Sequence, residues 1–269
     1  MFKRKLNILR IKKSEKEKLL DTILIEKFID ISVNSEPLAN IVCLPLDLKE
    51  LAVGFLFSIG IIDTIDEIKE IKINKLENKI DIDLYNSKFS TIDNFNLNPV
   101  SRVIDTSCGI SSPWREIIKK SLDDAKKSAK LKDDIKISQS IIFSSMKQMQ
   151  TESPLFRETG GCHAAAIFNF DGKLLSLKED IGRHNAIDKV IGDLLLKKQN
   201  FSDLFLTSTG RLTGDSVLKA VRAKLPIVAS HSAAIESGVR LAFTYGITLI
   251  GFVRGARMNV YTNPHRVIL

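Results

Sequence analysis

No stretch of this 269-residue chain approaches the ~18–20 uninterrupted apolar residues that a membrane-spanning helix needs. The longer apolar runs, such as Ala164–Phe168 and Ile247–Val253, have the length of core strands. The basic start of the chain lacks the apolar segment of a secretory signal, because Asn7 and Arg10 interrupt Leu6–Ile11. Cysteine is scarce. The three present, at 43, 108 and 162, are an odd number and form no Cys-x-x-Cys pair, which argues against a disulfide framework and for a reducing cytoplasm. There is no internal repeat and no Walker or Rossmann glycine fingerprint. An apolar fraction of 44% with 27% charged residues leaves no room for a disordered, collagen-like or low-complexity chain. The length fits one large domain or two modest ones.

What the chain does have is positive charge, unevenly placed. The net charge is +8. Residues 1–18 hold eight Lys/Arg against two Glu, while residues 201–269 hold eight against three acids and the middle is slightly acidic. The N-terminal block is rich in lysine and has no aromatic beyond Phe2, so it reads as a solvated arm, with a nucleic-acid or partner role as the alternative. The C-terminal excess is mostly arginine: Arg211, Arg222, Arg240, Arg254, Arg257 and Arg266. Several lie in glycine-containing loops, where a guanidinium fork can grip a phosphate. A compact anionic ligand suits that pattern better than a long duplex.

Periodicity organises the rest. Alternation over 21–46 around Asn34-Ser35-Glu36-Pro37 predicts a β-hairpin. Asp47 is placed to cap a helix whose apolar residues, from Leu48 to Ile59, recur at three- and four-residue spacing up to Gly60. Strands at about 68–74 and 79–84 complete a small α+β unit. Residues 85–112 lose periodicity and read as a long loop holding Cys108-Gly109. Ser112-Pro113 then opens a helix, with proline at its first position, and a second helix covers Ser138–Met149. From Glu158 onward, strands and helices alternate: a hairpin turning at Asp171-Gly172, a helix from Asn185, strand Leu204–Thr207, helix Asp215–Lys224, strand Ile227–Ala229, helix Ala233–Tyr245, strand Ile247–Val253 and a last strand at Asn259–Tyr261. That order predicts βαβ units and a parallel sheet covered on both faces. The expected fold class is α/β. The expected domains are a basic N-terminal arm (1–20), a small α+β domain ending in the Cys108 loop (21–112), connecting helices (113–150) and an α/β domain (151–269).

Ligands of open α/β sheets bind beyond the carboxyl ends of the strands, so the segments that follow each strand matter most. These are Glu179–Asn185, Ser208–Gly214, Ser230-His231-Ser232 and Arg254–Arg257, all of them polar, small or arginine-bearing. Three lead into helices, whose N-termini favour anions. Arg183, His184, Arg211, His231, Arg254 and Arg257 would then ring one rim. Any single loop is equally well a turn with a solvated arginine. Four on one edge point to a phosphate-bearing ligand.

Gly160-Gly161-Cys162-His163 precedes a buried strand. It is either a ligand-contacting turn with His163 as donor, or a tight turn with a structurally satisfied histidine. His163 has the placement of the first zinc ligand of a deaminase, but Ala165 stands where the catalytic Glu would be and no Pro-Cys-x-x-Cys follows, so zinc chemistry is excluded. Cys108 is the best nucleophile candidate. It sits beside a glycine in a polar loop, four residues before a helix start, and that helix N-terminus, with Arg102 or Arg115 nearby, would raise its thiolate fraction. The alternative is an incidental loop cysteine. Cys43, in Ile41-Val42-Cys43-Leu44, reads as inert core, and Cys162 is intermediate.

The runs Glu158–Ala166, Glu179-Asp180-Ile181-Gly182-Arg183-His184-Asn185-Ala186-Ile187-Asp188-Lys189, Gly246–Phe252 and Asn259–Pro264, with Pro45–Leu56 further upstream, resemble the formate dehydrogenase accessory sulfurtransferase family (FdhD). The resemblance spans all but the first ~20 residues. It implies a cytoplasmic homodimer with a cytidine-deaminase-like three-layer C-terminal domain that has lost its zinc, beside a smaller α+β N-terminal domain. It implies sulfur carried as a persulfide from a cysteine desulfurase to the bis(molybdopterin guanine dinucleotide) cofactor of a formate dehydrogenase catalytic subunit, with GDP as a mimic of that ligand. The persulfide cysteine of the family falls on Cys108. Its cofactor segment falls on Phe252-Val253-Arg254-Gly255-Ala256-Arg257, joined at the rim by Arg211, His184, Arg183 and His163. Two departures stand out. The family pattern Cys-Gly-x-Cys is here Cys108-Gly109-Ile110-Ser111, without the second thiol, so an external thiol or Cys162 would have to act as its partner. Ser58-Ile59-Gly60 stands where an acidic residue commonly lies between Ser and Gly. The alternative function is a cofactor-binding chaperone that moves no sulfur.

Overall fold

The computed structural model describes residues 1–85, 103–104 and 135–269. The Cys108 loop and the helix expected from Ser112-Pro113 lie outside the described residues.

Two hairpins open the chain. β1 (Lys3–Lys12) and β2 (Glu15–Leu24) pair antiparallel across Lys13-Ser14. The block read as a solvated arm is therefore strand apart from its first two residues and the turn. Charged and apolar residues are mixed on each face of this ribbon, which hides the period-two apolar signal, and Arg10 lies across from Glu17 and Lys12 from Glu15. β3 (Lys27–Val33) and β4 (Glu36–Cys43) form the expected hairpin around Asn34, although residues 21–24 of the range assigned to it belong to β2. Its turn residues Asn34 and Ser35 have φ of 49° and 70°, the left-handed geometry a two-residue turn requires. α1 (Leu48–Ser58) follows. Asp47 occupies its N-cap position without capping it, because its Oδ1 instead accepts a bond from Lys178 Nζ at 2.8 Å. β5 (Ile68–Asn74), β6 (Lys79–Leu84) and β7 (Val103–Ile104) complete a five-stranded sheet ordered β5-β6-β3-β4-β7. Ile29, Ile31, Ile80 and Ile82 on its inner face share a core with Leu51, Phe55 and Leu56 of α1.

The short strand β8 (Ile137–Ser138), α2 (Gln139–Thr151) and α3 (Pro154–Thr159) lead into the second sheet. Its strands are β9 (His163–Asn169), β10 (Leu174–Asp180), β11 (Leu204–Ser208), β12 (Ile227–Ser230), β13 (Thr248–Arg254) and β14 (Arg257–Val260). They are ordered β10-β9-β11-β12-β13-β14. The expected parallel sheet is only partly realised. β11, β12 and β13 run parallel, while β9, β10 and β14 pair antiparallel. The cause is connection length: short turns join β9 to β10 and β13 to β14, and such turns can only link antiparallel neighbours. The last strand, β15 (Val267–Ile268), pairs with β8.

Helices cover both faces of this sheet. α4 (Arg183–Leu196), α5 (Gly214–Arg222) and α6 (Glu236–Tyr245) join α1 on one side, over Ala165, Ile167, Leu206, Val228 and Leu249. α2 covers the other, where Met146 and Met149 meet Phe168, Phe205 and Ile250. α4 is buried on every side from Arg183 to Leu195, although its sequence shows one apolar stripe. Its polar positions are consumed by pairing. Asp180 accepts bonds from Leu44 N (3.0 Å), Gly182 N (2.8 Å) and Asn185 Nδ2 (2.9 Å), and pairs with Lys189 Nζ at 2.7 Å. Lys189 also donates to Leu44 O, and Asn185 to Val42 O. The Asp-Ile-Gly-Arg-His-Asn run thus bolts the end of β4 onto the second sheet.

Candidate functional site

Strand register decides which residues share an edge. Asp180 at the end of β10 lies opposite His163 at the start of β9, and β11 ends at Ser208 opposite Ala165. Thr209 N then donates to Ala164 O at 3.0 Å, and His231 N to Ser208 O at 3.0 Å. The Ser230 hydroxyl donates to Ser208 O and Gly210 O, at 3.0 and 2.6 Å. The loops after β11 and β12 are therefore stitched together beside the first residue of β9.

One group on this edge contains His163, Arg183 and Arg211. His163 Nδ1 lies 3.2 Å from Thr209 Oγ1. Arg183 begins α4 and packs so tightly over Gly210 that a Cβ there would lie 2.7 Å from Arg183 Cβ. Burial holds the Arg183 guanidinium below its ordinary pKa. The like charge of Arg211 pushes the same way and Asp215 opposes it. Arg183 Nε is buried without a hydrogen-bond partner among the described residues. His163 is pushed below its usual 6.5, first by burial and then by Arg183 and Arg211, against an opposing pull from Asp180.

A second group forms around His231. Arg254 Nε donates to His231 O at 2.9 Å, and its guanidinium lies 5.4 Å from the centre of the Phe252 ring. Phe252 has φ of 53° and its N–H donates to Ser232 O at 2.9 Å, so β13 bends out of register before Arg254. Gly255 (φ 57°) and Ala256 make the exposed turn to Arg257, which pairs across the ladder with Arg254. Val253 is buried and belongs to the core against α2.

Of the residues expected at the rim, Arg211, Arg254 and Arg257 are exposed there and Arg183 and His163 are half to fully covered. His184 is buried in the first turn of α4, away from solvent. Gln150 was missed: its Nε2 lies 2.9 Å from His231 Nδ1. It comes from the helix on the far face of the sheet, and nothing in its sequence context sets it apart from a surface glutamine. Cys108 lies outside the described residues. The other two cysteines are settled. Burial, then the charge of Asp180, pushes the Cys43 thiol up to about 12. Burial, then Glu179 and Asp180, pushes Cys162 up to about 12. Cys162 Sγ sits 3.9 Å from Glu179 Oε1. Cys162 is therefore a buried neutral thiol, and its suggested part as a partner to Cys108 is withdrawn. Among the described residues no three His, Cys, Asp or Glu side chains converge as metal ligands, and no helix is long and apolar enough to cross a membrane.

The model of the FdhD/NarQ family matches residues 24–268. The chain belongs to this family. The FdhD/NarQ fold is also seen in a crystal structure named for a formate dehydrogenase accessory protein from Desulfotalea psychrophila, which is 28% identical, covers 100% of both chains and superposes with a TM-score of 0.78. Sulfur carrier protein FdhD of Sulfolobus acidocaldarius is 36% identical over 99% of each chain. The Bacillus subtilis protein of the same name is 34% identical over 97% of this chain and 96% of its own.

Proposed function

We propose that this chain carries sulfur, as a persulfide on Cys108, from a cysteine desulfurase to bis(molybdopterin guanine dinucleotide) held at the arginine rim, for delivery to a formate dehydrogenase catalytic subunit. Membership of the FdhD/NarQ family supports a sulfur-carrier role, since relatives aligned over nearly the whole chain bear that name. The observation that carries the ligand half is the Arg183–Arg211 pair. Two guanidinium groups whose like charges oppose each other more strongly than Asp215 offsets, one of them with a buried N–H that has no partner among the described residues, make a site that suits an anion. A nucleotide pyrophosphate supplies that charge. Arg254, braced by His231 O and the Phe252 ring, would grip a second phosphate or a guanine edge. We read residues 151–269 as a cytidine-deaminase-like domain and the protein as a cytoplasmic homodimer. The helix layers on both faces of the mixed sheet support the first reading.

For the sulfur half, Cys43 and Cys162 are held as neutral thiols, which leaves Cys108 as the nucleophile. Its thiolate attacks the outer sulfur of the donor's persulfide. One S–S bond forms, one breaks, and the donor thiolate leaves, so no external oxidant is consumed. The absence of a second thiol at Ser111 also favours a second reading, a cofactor chaperone that moves no sulfur. Intact mass separates the two. After incubation with desulfurase and cysteine the native chain gains about 32 Da per transferred sulfur and Cys108→Ala gains nothing. A Cys108→Ala protein that still supports formate dehydrogenase maturation would establish the chaperone instead. GDP titration tests the rim: Arg211→Ala and Arg183→Ala each weaken binding by about ten-fold or more, and unchanged affinity in both removes the site.

A further inference from the structure

The β1–β2 hairpin lies ahead of residue 24, where the family match begins, and no part of the proposed rim uses it. Its two faces differ. Glu15, Glu17 and Asp21, its three acidic residues, all lie on one face, the first two directly across from Lys12 and Arg10, so that face neutralises itself. The register places the alternate β1 positions from Lys3 to Ile11 on the other face, with the β2 positions from Lys16 to Leu24. That face has no acid of its own.

At the base, the acid-free face meets an acid from the body. Glu158 of α3 accepts a bond from Lys3 Nζ at 2.8 Å and another from the Thr22 hydroxyl. Leu24 packs there against Leu44, Leu155 and Cys162, next to the turn that enters β9 at His163. Towards the tip its apolar side chains are exposed. Leu9, Ile11 and Leu20 are 52%, 63% and 59% exposed, and Lys16 and Lys18 meet no acid among the described residues. A two-stranded ribbon with three aliphatics in water is marginal alone and gains by docking. The face lacks aromatics to stack on bases or to anchor at a lipid interface, and its cations are lysines, not phosphate-gripping arginines. A second copy would bring the same lysines against each other in a two-fold contact.

We propose that this face docks an acidic, apolar-spotted surface on the protein that receives cargo from the rim, in the way Glu158 already engages its base. The hairpin root packs against the turn into His163, so a partner that covers the face from tip to root reaches that turn. The identity of the partner rests on the function proposed above; the docking surface does not.

The test uses the full chain and the purified formate dehydrogenase catalytic subunit in a biosensor titration. Lys16→Glu with Lys18→Glu is expected to weaken binding by about ten-fold and flatten its salt dependence. Leu9→Ser with Leu20→Ser weakens binding and leaves the salt slope intact. The charge swap Lys12→Glu with Glu15→Lys on the opposite face changes neither. GDP affinity, measured in parallel, stays at the wild-type value in every variant, and thermal melts confirm folding. Unchanged affinity in the first two variants, or no binding by the wild type, overturns the proposal. So does a lysine-dependent gain that appears instead with desulfurase, with phosphatidylserine vesicles, with oligo-dT, or as a shift in oligomeric state. If the wild-type chain docks but binds no GDP, the surface stands and the rim reading alone is discarded.

Discussion

Gly54 of α1 and Gly192 of α4 meet backbone to backbone. A Cβ on Gly192 would lie 2.7 Å from Gly54 N and 1.9 Å from Glu50 O, and one on Gly54 would lie 1.9 Å from Asp188 O. This crossing is where the N-terminal sheet, through its helix, is fastened to the second sheet. Gly192→Ala forces the two helices apart and is expected to lower stability by about 1–3 kcal/mol. The shift is read as a lower urea midpoint. An unchanged midpoint would mean that the helices slide without cost.

Beside that crossing, Lys219 Nζ reaches both oxygens of Asp188, at 2.7 and 2.6 Å, and the Ser58 hydroxyl donates to Oδ1 at 2.6 Å. Lys219→Met leaves the carboxylate buried without its cation and should cost about 3–5 kcal/mol at neutral pH. Burial already holds Asp188 above its ordinary 3.8, and Lys219 opposes that rise. An acid with a raised folded pKa contributes stability below its unfolded value and loses it as pH climbs through the folded one. Removing the lysine raises the folded value further. The deficit of the variant is therefore smallest in acid and grows as pH increases. A deficit that is flat with pH, in paired denaturation curves from pH 4 to 8, contradicts this assignment.

Thiol labelling gives a simple count. With Cys43 and Cys162 both pushed up to about 12 and buried, brief iodoacetamide treatment of the native chain at neutral pH adds one group, on Cys108. The denatured chain takes three. Peptide mapping that finds native modification at Cys162 would restore it as a partner for persulfide exchange.

His163 should make ligand affinity depend on pH. In the free protein its pKa lies below 6.5, driven down by burial and then by Arg183 and Arg211. A bound pyrophosphate offsets those positive charges and raises that pKa, so binding takes up a proton in the interval between the two values. GDP affinity is expected to rise as pH falls through the bound-state value, and to level off below the free-state one. His163→Gln flattens the curve. Calorimetry in buffers of different ionisation enthalpy measures the proton directly. Equal slopes for both proteins would detach His163 from the ligand.

Periodicity located the second hairpin, α1, the β5–β6 pair and the alternating second half to within a few residues, because those elements bury one face and leave a readable apolar rhythm. It failed at β1–β2, where charge occupies both faces of the ribbon. It placed α4 but not its full enclosure: a helix with one apolar stripe is buried all round because Asp188 and Lys189 find partners outside it. The motif around Asp180 was legible as a family signature, yet most of its atoms serve to join β4 to the second sheet.

By itself the amino-acid order determined the element types beyond the first hairpin, the arginine-bearing loops at strand ends and the kinship carried by the Asp-Ile-Gly-Arg-His-Asn run, because each is written in local spacing. Only the tertiary structure decided that Cys162 is a sealed thiol, that Arg183 packs over Gly210 within reach of the charge of Arg211, and that Gln150 reaches His231 from the opposite side of the sheet. Those facts depend on strand register and on what each element is packed against, and burial and charge proximity arise between segments far apart in the chain.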